Sequence, residues 1–85
     1  MELELTETER MGVGVSSERI SRRAKLTPEI QETADWYADV LWDNKEVEIN
    51  DEQREHLVEI CKWGREDTEY ENALNDVLER IEDTE

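Results

Sequence analysis

Apolar and polar residues alternate at the start of the chain. Leu3 and Leu5 fall on one side of an extended backbone, and Val13 and Val15 repeat the spacing of two. This period is typical of β-strands, but an isolated pair of short strands is only marginally stable in water. We therefore predict that residues 1–26 form an extended arm. The alternatives are short β-strands within it, attachment to another surface, or a frayed terminus.

The hydrophobic period becomes helical after Thr27. Thr27 is a favoured N-cap residue, and Pro28 suits the first position of a helix. The apolar residues that follow share one stripe of a 3.6-residue helix. The stripe consists of Ile30, Ala34, Tyr37 and Leu41. We predict an amphipathic helix that runs from Pro28 to about Asn44.

Two further helices are predicted in the second half of the chain. Asn50 and Gln53 have the spacing of a capping box, which predicts a helix over residues 51–63 that ends at Gly64. Its inward-facing residues are Leu57, Ile60 and Cys61. Thr68 is the predicted cap of the last helix. The apolar stripe of that helix consists of Tyr70, Leu74, Val77, Leu78 and Ile81.

These elements predict an all-α protein, a small three-helix bundle over residues 27–85 preceded by the extended arm. Charge divides the chain at the same place. The bundle segment contains 20 acidic and 5 basic residues, whereas residues 16–26 contain four basic residues and one acid. The basic residues of this segment are Arg19, Arg22, Arg23 and Lys25. We predict that it links the arm to the acidic bundle and can dock on an acidic surface.

The whole chain carries a formal net charge of −15, with 25 acidic and 10 basic residues. Such an excess repels itself at low salt, and molar salt shortens the Debye length to about 3 Å. Together with the preference for Arg over Lys and the lack of Phe, it resembles small acidic proteins of haloarchaea or of their viruses. This resemblance of composition implies the cytoplasm of an extreme halophile, or a virus particle that infects one. An ordinary acidic protein, such as a nucleic-acid mimic, is the alternative.

Reactive side chains do not converge in the sequence. His56 and Cys61 lie about 140° apart on one predicted helix, so they cannot act together. A zinc site needs three or four ligands, and the chain has no other His or Cys. Residues 43–54 resemble a calcium-binding loop but lack its turn glycine and its final glutamate. We predict a protein that is not an enzyme and that binds no cofactor and no metal. Without an apolar run of about 18 residues, we also expect no membrane partner.

Ten side chains are candidate contacts for a partner. They are the apolar residues of the arm, three arginines of the basic segment and the three tryptophans, which lie off the helix stripes. The set consists of Leu3, Leu5, Val13, Val15, Arg19, Arg22, Arg23, Trp36, Trp42 and Trp63. The tryptophans either widen a small core or anchor a partner. The arginines pair with acidic protein surface or, as the less favoured alternative, with phosphates.

The expected function is that of a non-enzymatic interaction or assembly subunit in a larger complex, such as a virus particle. Its arm would add a strand to the sheet edge of a protein partner or of another copy of the chain. One alternative is a small regulator or inhibitor that binds the transcription or replication machinery of a host. Another is weak DNA binding through Arg19, Arg22 and Arg23.

Overall fold

A computed structural model of the chain describes residues 1–23 and 26–82. The described residues are mostly helical and include a short two-stranded sheet. The elements in chain order are β1 (Glu2–Glu4), α1 (Glu7–Arg23), α2 (Pro28–Val40), β2 (Glu46–Glu48), α3 (Asp51–Asp67) and α4 (Glu71–Glu82). Within these ranges, none of the helices combines the length and the apolar character that crossing a membrane requires.

Helix α1 is the largest departure from the sequence prediction. The prediction of an extended arm is wrong for residues 7–23, which form a helix packed against α2, α3 and α4. A capping box fixes its start. The Thr6 hydroxyl accepts a hydrogen bond from the Glu9 N–H at 3.2 Å, and the Glu9 carboxylate accepts one from the Thr6 N–H at 2.8 Å. The described part of the chain therefore has four helices, where the sequence predicted a three-helix bundle.

One hydrophobic core contains residues that precede Thr27 in the sequence and residues that follow it. Before Thr27 the buried apolar residues are Leu3, Leu5, Val13 and Ile20. They pack with the predicted stripes of α2, α3 and α4, whose inward-facing positions are confirmed as buried or half-buried. The largest enclosed side chain is that of Tyr37, whose hydroxyl donates to the Gln53 carbonyl at 2.9 Å. Residues 1–23 thus form part of the same core as the acidic helices.

The structure confirms the predicted starts of two helices, but Thr68, the predicted cap of the last helix, instead ends α3, and α4 begins at Glu71. The caps of α2 and α3 are confirmed, since Thr27 accepts from the Ile30 N–H at 3.4 Å and Asn50 accepts from the Gln53 N–H at 2.7 Å. Gly64, however, lies inside α3, which continues to Asp67. A Cβ added to Gly64 would lie 2.8 Å from the Ser16 Cβ. The glycine therefore permits α3 to approach α1 closely.

The short sheet closes over one end of the core. Strand β1 pairs antiparallel with β2, so that Leu3 lies opposite Val47 while the neighbouring glutamates point outward. The terminal amino group of Met1 donates to the Ile49 carbonyl at 2.7 Å. Arg80 donates to the Glu4 carbonyl at 2.6 Å and forms an ion pair with the carboxylate of Glu9. The N-terminal residues are therefore held to α4 as well as to β2.

Candidate docking groove

A groove of about 410 Å³ runs between α1 and α2 on the surface of the protein. Met11, Gly14 and Val15 line it on the α1 side, and Leu41 and Trp42 line it on the α2 side. Leu41 is buried and forms part of the core, whereas Val15 is half-buried. The groove therefore has an apolar centre that is continuous with the core.

Two large apolar side chains at this groove are exposed to solvent. Trp42 is 75% exposed and Met11 is 42% exposed, and the other large apolar side chains of the described residues are buried or half-buried. Single exposed apolar residues are common on protein surfaces. An exposed Trp and an exposed Met that line the same groove form a patch of the kind that marks interaction sites.

Arg10 fixes the backbone that carries Trp42. Its guanidinium donates to the Leu41 carbonyl at 2.8 Å and to the Trp42 carbonyl at 3.2 Å, just beyond the end of α2. A cation at this position is favourable because the last carbonyls of a helix carry partial negative charge. The hydrogen bonds that Arg10 and then Lys45 make to Glu7 lower the pKa of that carboxyl group. The end of α2 is thus tied to the first turns of α1.

Gly14 has no contact that explains the missing side chain. Apart from its chain neighbours and its own helix backbone, a Cβ built on Gly14 would meet no described atom within 4 Å. Gly12 lies two residues before Gly14, on the opposite side of α1. A Cβ built on Gly12 would lie 3.0 Å from the Tyr70 Cβ. Gly12 is therefore explained by close packing against the start of α4, and Gly14 opens onto the groove.

Two arginines of the predicted basic segment, Arg19 and Arg22, pair with acids of the same chain. Arg19 donates to the Asp67 carbonyl at 2.7 Å and lies 3.7 Å from the Asp67 carboxylate. Arg22 forms an ion pair with Glu18 at 2.9 Å. The side chain of Arg23 lies outside what the structure describes.

The structure separates the apolar and aromatic residues of the predicted partner contacts into three groups. Val15 and Trp42 lie together at the groove. Leu3, Leu5 and Val13 are buried in the core, so contact with a partner would require them to leave it. Trp36 and Trp63 are half-buried against the core. Trp36 also contacts Tyr37 edge to face, with ring centroids 4.9 Å apart.

Arg10, Met11 and Gly14 are among the groove residues that sequence reasoning missed. The available signal was the capping-box spacing of Thr6 and Glu9, which marks the start of a helix. In a helix that begins there, Met11 shares a face with Gly14 and Val15, three and four residues on.

Several reactive groups lie outside the groove in the described residues. Burial raises the pKa of the Cys61 thiol to about 12, and this sulfur lies in the core. One ring nitrogen of His56 lies 2.6 Å from the Thr33 hydroxyl. The carboxylates of Glu2, Glu4 and Glu46 lie within 4.8 Å of one another on the outer face of the sheet. These glutamates are exposed, and exposed acids cluster commonly without a metal ion.

Comparison with protein-family models, with curated proteins and with solved structures found no match in any of the three.

Proposed function

We propose that the protein is a non-enzymatic interaction subunit of a larger complex and that it docks through the groove between α1 and α2. The observation that carries this proposal is the exposure of Trp42 and Met11 at the same groove. Tryptophan dominates the binding energy of many interfaces. Arg10 anchors the backbone of Trp42, so little conformational entropy of this backbone is lost when a partner covers it.

The energy available at this groove is substantial for a small protein. Covering most of an exposed indole removes on the order of 150 Å² of apolar surface, worth up to about 4 kcal/mol at about 25 cal/mol per Å². That value lies in the range of measured hot spots. Met11 and Val15 extend the patch along α1.

The groove replaces the arm as the favoured docking element. Strand β1 already pairs with β2 along one edge, and Arg80 donates to the Glu4 carbonyl, so addition of this strand to the sheet of a partner would compete with contacts inside the chain. Direct binding to DNA through the basic segment is less well supported, because Arg19 and Arg22 pair with Asp67 and Glu18. An assembly inside a halophile, such as a virus particle, is the setting that we propose from the acidic composition.

A photo-crosslinking amino acid placed at position 42 tests the proposal in the native complex. We expect a crosslink to one specific partner from position 42 and none from the matched exposed position Lys62 on α3. The variant Trp42→Ser should lose association while it keeps the helical circular dichroism of the parent, because the side chain lies outside the core. Normal association of Trp42→Ser would contradict docking at this groove.

A further inference from the structure

The three glycines of the chain all lie within helices, and two of them serve close contacts between helices. Gly12 lets α1 approach Tyr70, and Gly64 lets α3 approach Ser16. In each case an added Cβ would come within about 3 Å of the Cβ of the facing residue, which is tighter than ordinary van der Waals contact. This chain therefore places glycine where one helix must come close to another.

Gly14, in contrast, makes no close contact with another helix of the described residues. It lies in the middle of the 17-residue helix α1, where glycine is the least favourable residue apart from proline. Apart from its own helix backbone and its two chain neighbours, no atom of the described residues lies within 4 Å of the position that its Cβ would occupy. The space that the missing side chain leaves belongs to the groove, between Met11 and Val15.

We infer that a helix of another protein packs against α1 in this groove and that its backbone comes closest at Gly14. The inference rests on the proposed function and names the kind of partner that the groove takes. Residues that line it on α1 extend from Glu7 to Glu18, about 16 Å at 1.5 Å per residue, which matches three turns of a helix. Small residues let helix backbones approach closely, so that flanking side chains such as Trp42 can enclose the partner's apolar face.

Charge selects a basic partner helix over a second copy of this chain. Two copies would place acidic surface against acidic surface, and even molar salt screens only charges that lie more than about 3 Å apart. Glu7 and Glu18 lie at the ends of the groove but already form ion pairs within the chain. The exposed Asp39 and Asp43, on either side of Trp42 in sequence, are the acids that a basic partner can contact. A helix with apolar residues on one face and Lys or Arg beside them complements this surface.

Two synthetic helical peptides of about 18 residues, one built from Leu and Lys and one from Leu and Glu, provide the probes. Their affinities are measured by calorimetry, at a KCl concentration at which circular dichroism shows a folded protein. We expect the Lys peptide to bind and the Glu peptide to bind at least tenfold more weakly. Filling the groove with Gly14→Leu should weaken binding of the Lys peptide at least tenfold. The matched control Thr8→Leu, exposed on the same helix but outside the groove, should leave it unchanged.

Gly14→Ala separates the proposed role from a purely structural one. Its thermal midpoint should rise, because the added methyl group meets no neighbour and alanine favours the helix, while its affinity for the Lys peptide should fall. Equal affinity of Gly14→Leu and the parent would overturn the inference, as would equal binding of both peptides. A dimer of the free protein that Gly14→Leu dissociates would assign the groove to a second copy and overturn it too. Docking at Trp42 would still stand in all these cases if Trp42→Ser lost its native complex.

Discussion

We expect that a chain truncated to residues 27–85 will not fold, because the first 26 residues supply one side of the core. Leu3, Leu5, Val13 and Ile20 are at most 6% exposed. Burial of each such side chain contributes about 1.5–3 kcal/mol, so the four together contribute about 6–12 kcal/mol. That equals most or all of the stability of a typical domain, about 5–15 kcal/mol. Truncation also exposes the faces of α3 and α4 that α1 covers.

Circular dichroism of the truncated chain in molar KCl is the direct assay, with urea titration of the full chain as its reference. A milder perturbation replaces a single core residue. Leu5→Ala should lower the free energy of unfolding by about 2–5 kcal/mol. Glu2 is exposed on β1, so Glu2→Ala serves as the control. It should lower the free energy of unfolding by less than about 0.5 kcal/mol. A truncated chain with full helical signal and a cooperative melt would refute the single shared core.

Three further predictions follow from the same structure. Gly14→Ala should raise the free energy of unfolding by up to about 1 kcal/mol. Gly64→Ala should lower it by about 1–3 kcal/mol, because the added methyl group meets Ser16. Urea titration of the two variants tests both values. Helical circular dichroism should be lost when the protein moves from molar KCl to about 10 mM salt, where the Debye length is about 30 Å; an unchanged spectrum would contradict the halophilic interpretation. The Cys61 thiol should resist a thiol reagent until the protein unfolds. Burial raises the pKa of this thiol from 9.0 to about 12, so the folded protein keeps the proton that the unfolded chain loses above pH 9.0. The free energy of unfolding should therefore fall as the pH rises from 9.0 toward 12.

The sequence predicted α2, α3 and α4 because their signals are local. Thr27 and Asn50 are caps whose side chains act within one turn, and the apolar stripes repeat at the helical period. Helix α1 lacks such a stripe, because small residues carry part of its contact. Ser16 is fully buried, and its hydroxyl donates to the Gly12 carbonyl at 2.7 Å. A hydrophobic pattern does not register a buried serine or a glycine at a helix contact.

The candidate site depended on the element that the sequence did not predict. Trp42 was identified as a partner contact, but its exposure follows from the end of α2 at Val40 and from the hydrogen bonds of Arg10. Met11 joins Trp42 only if residues 7–23 are helical. The groove is thus a tertiary feature. Local spacing in the sequence identifies Trp42 on one side of it but does not place Met11 on the other.

Solvent access to Trp42 in the assembled complex tests the central claim most directly. In a Trp36→Phe, Trp63→Phe background, Trp42 is the remaining tryptophan, and acrylamide quenching of its fluorescence reports its exposure. The free protein should be quenched strongly, because the indole is 75% exposed. We predict that quenching falls severalfold in the native complex. A quenching constant that is the same in the free protein and in the complex would contradict docking through this groove.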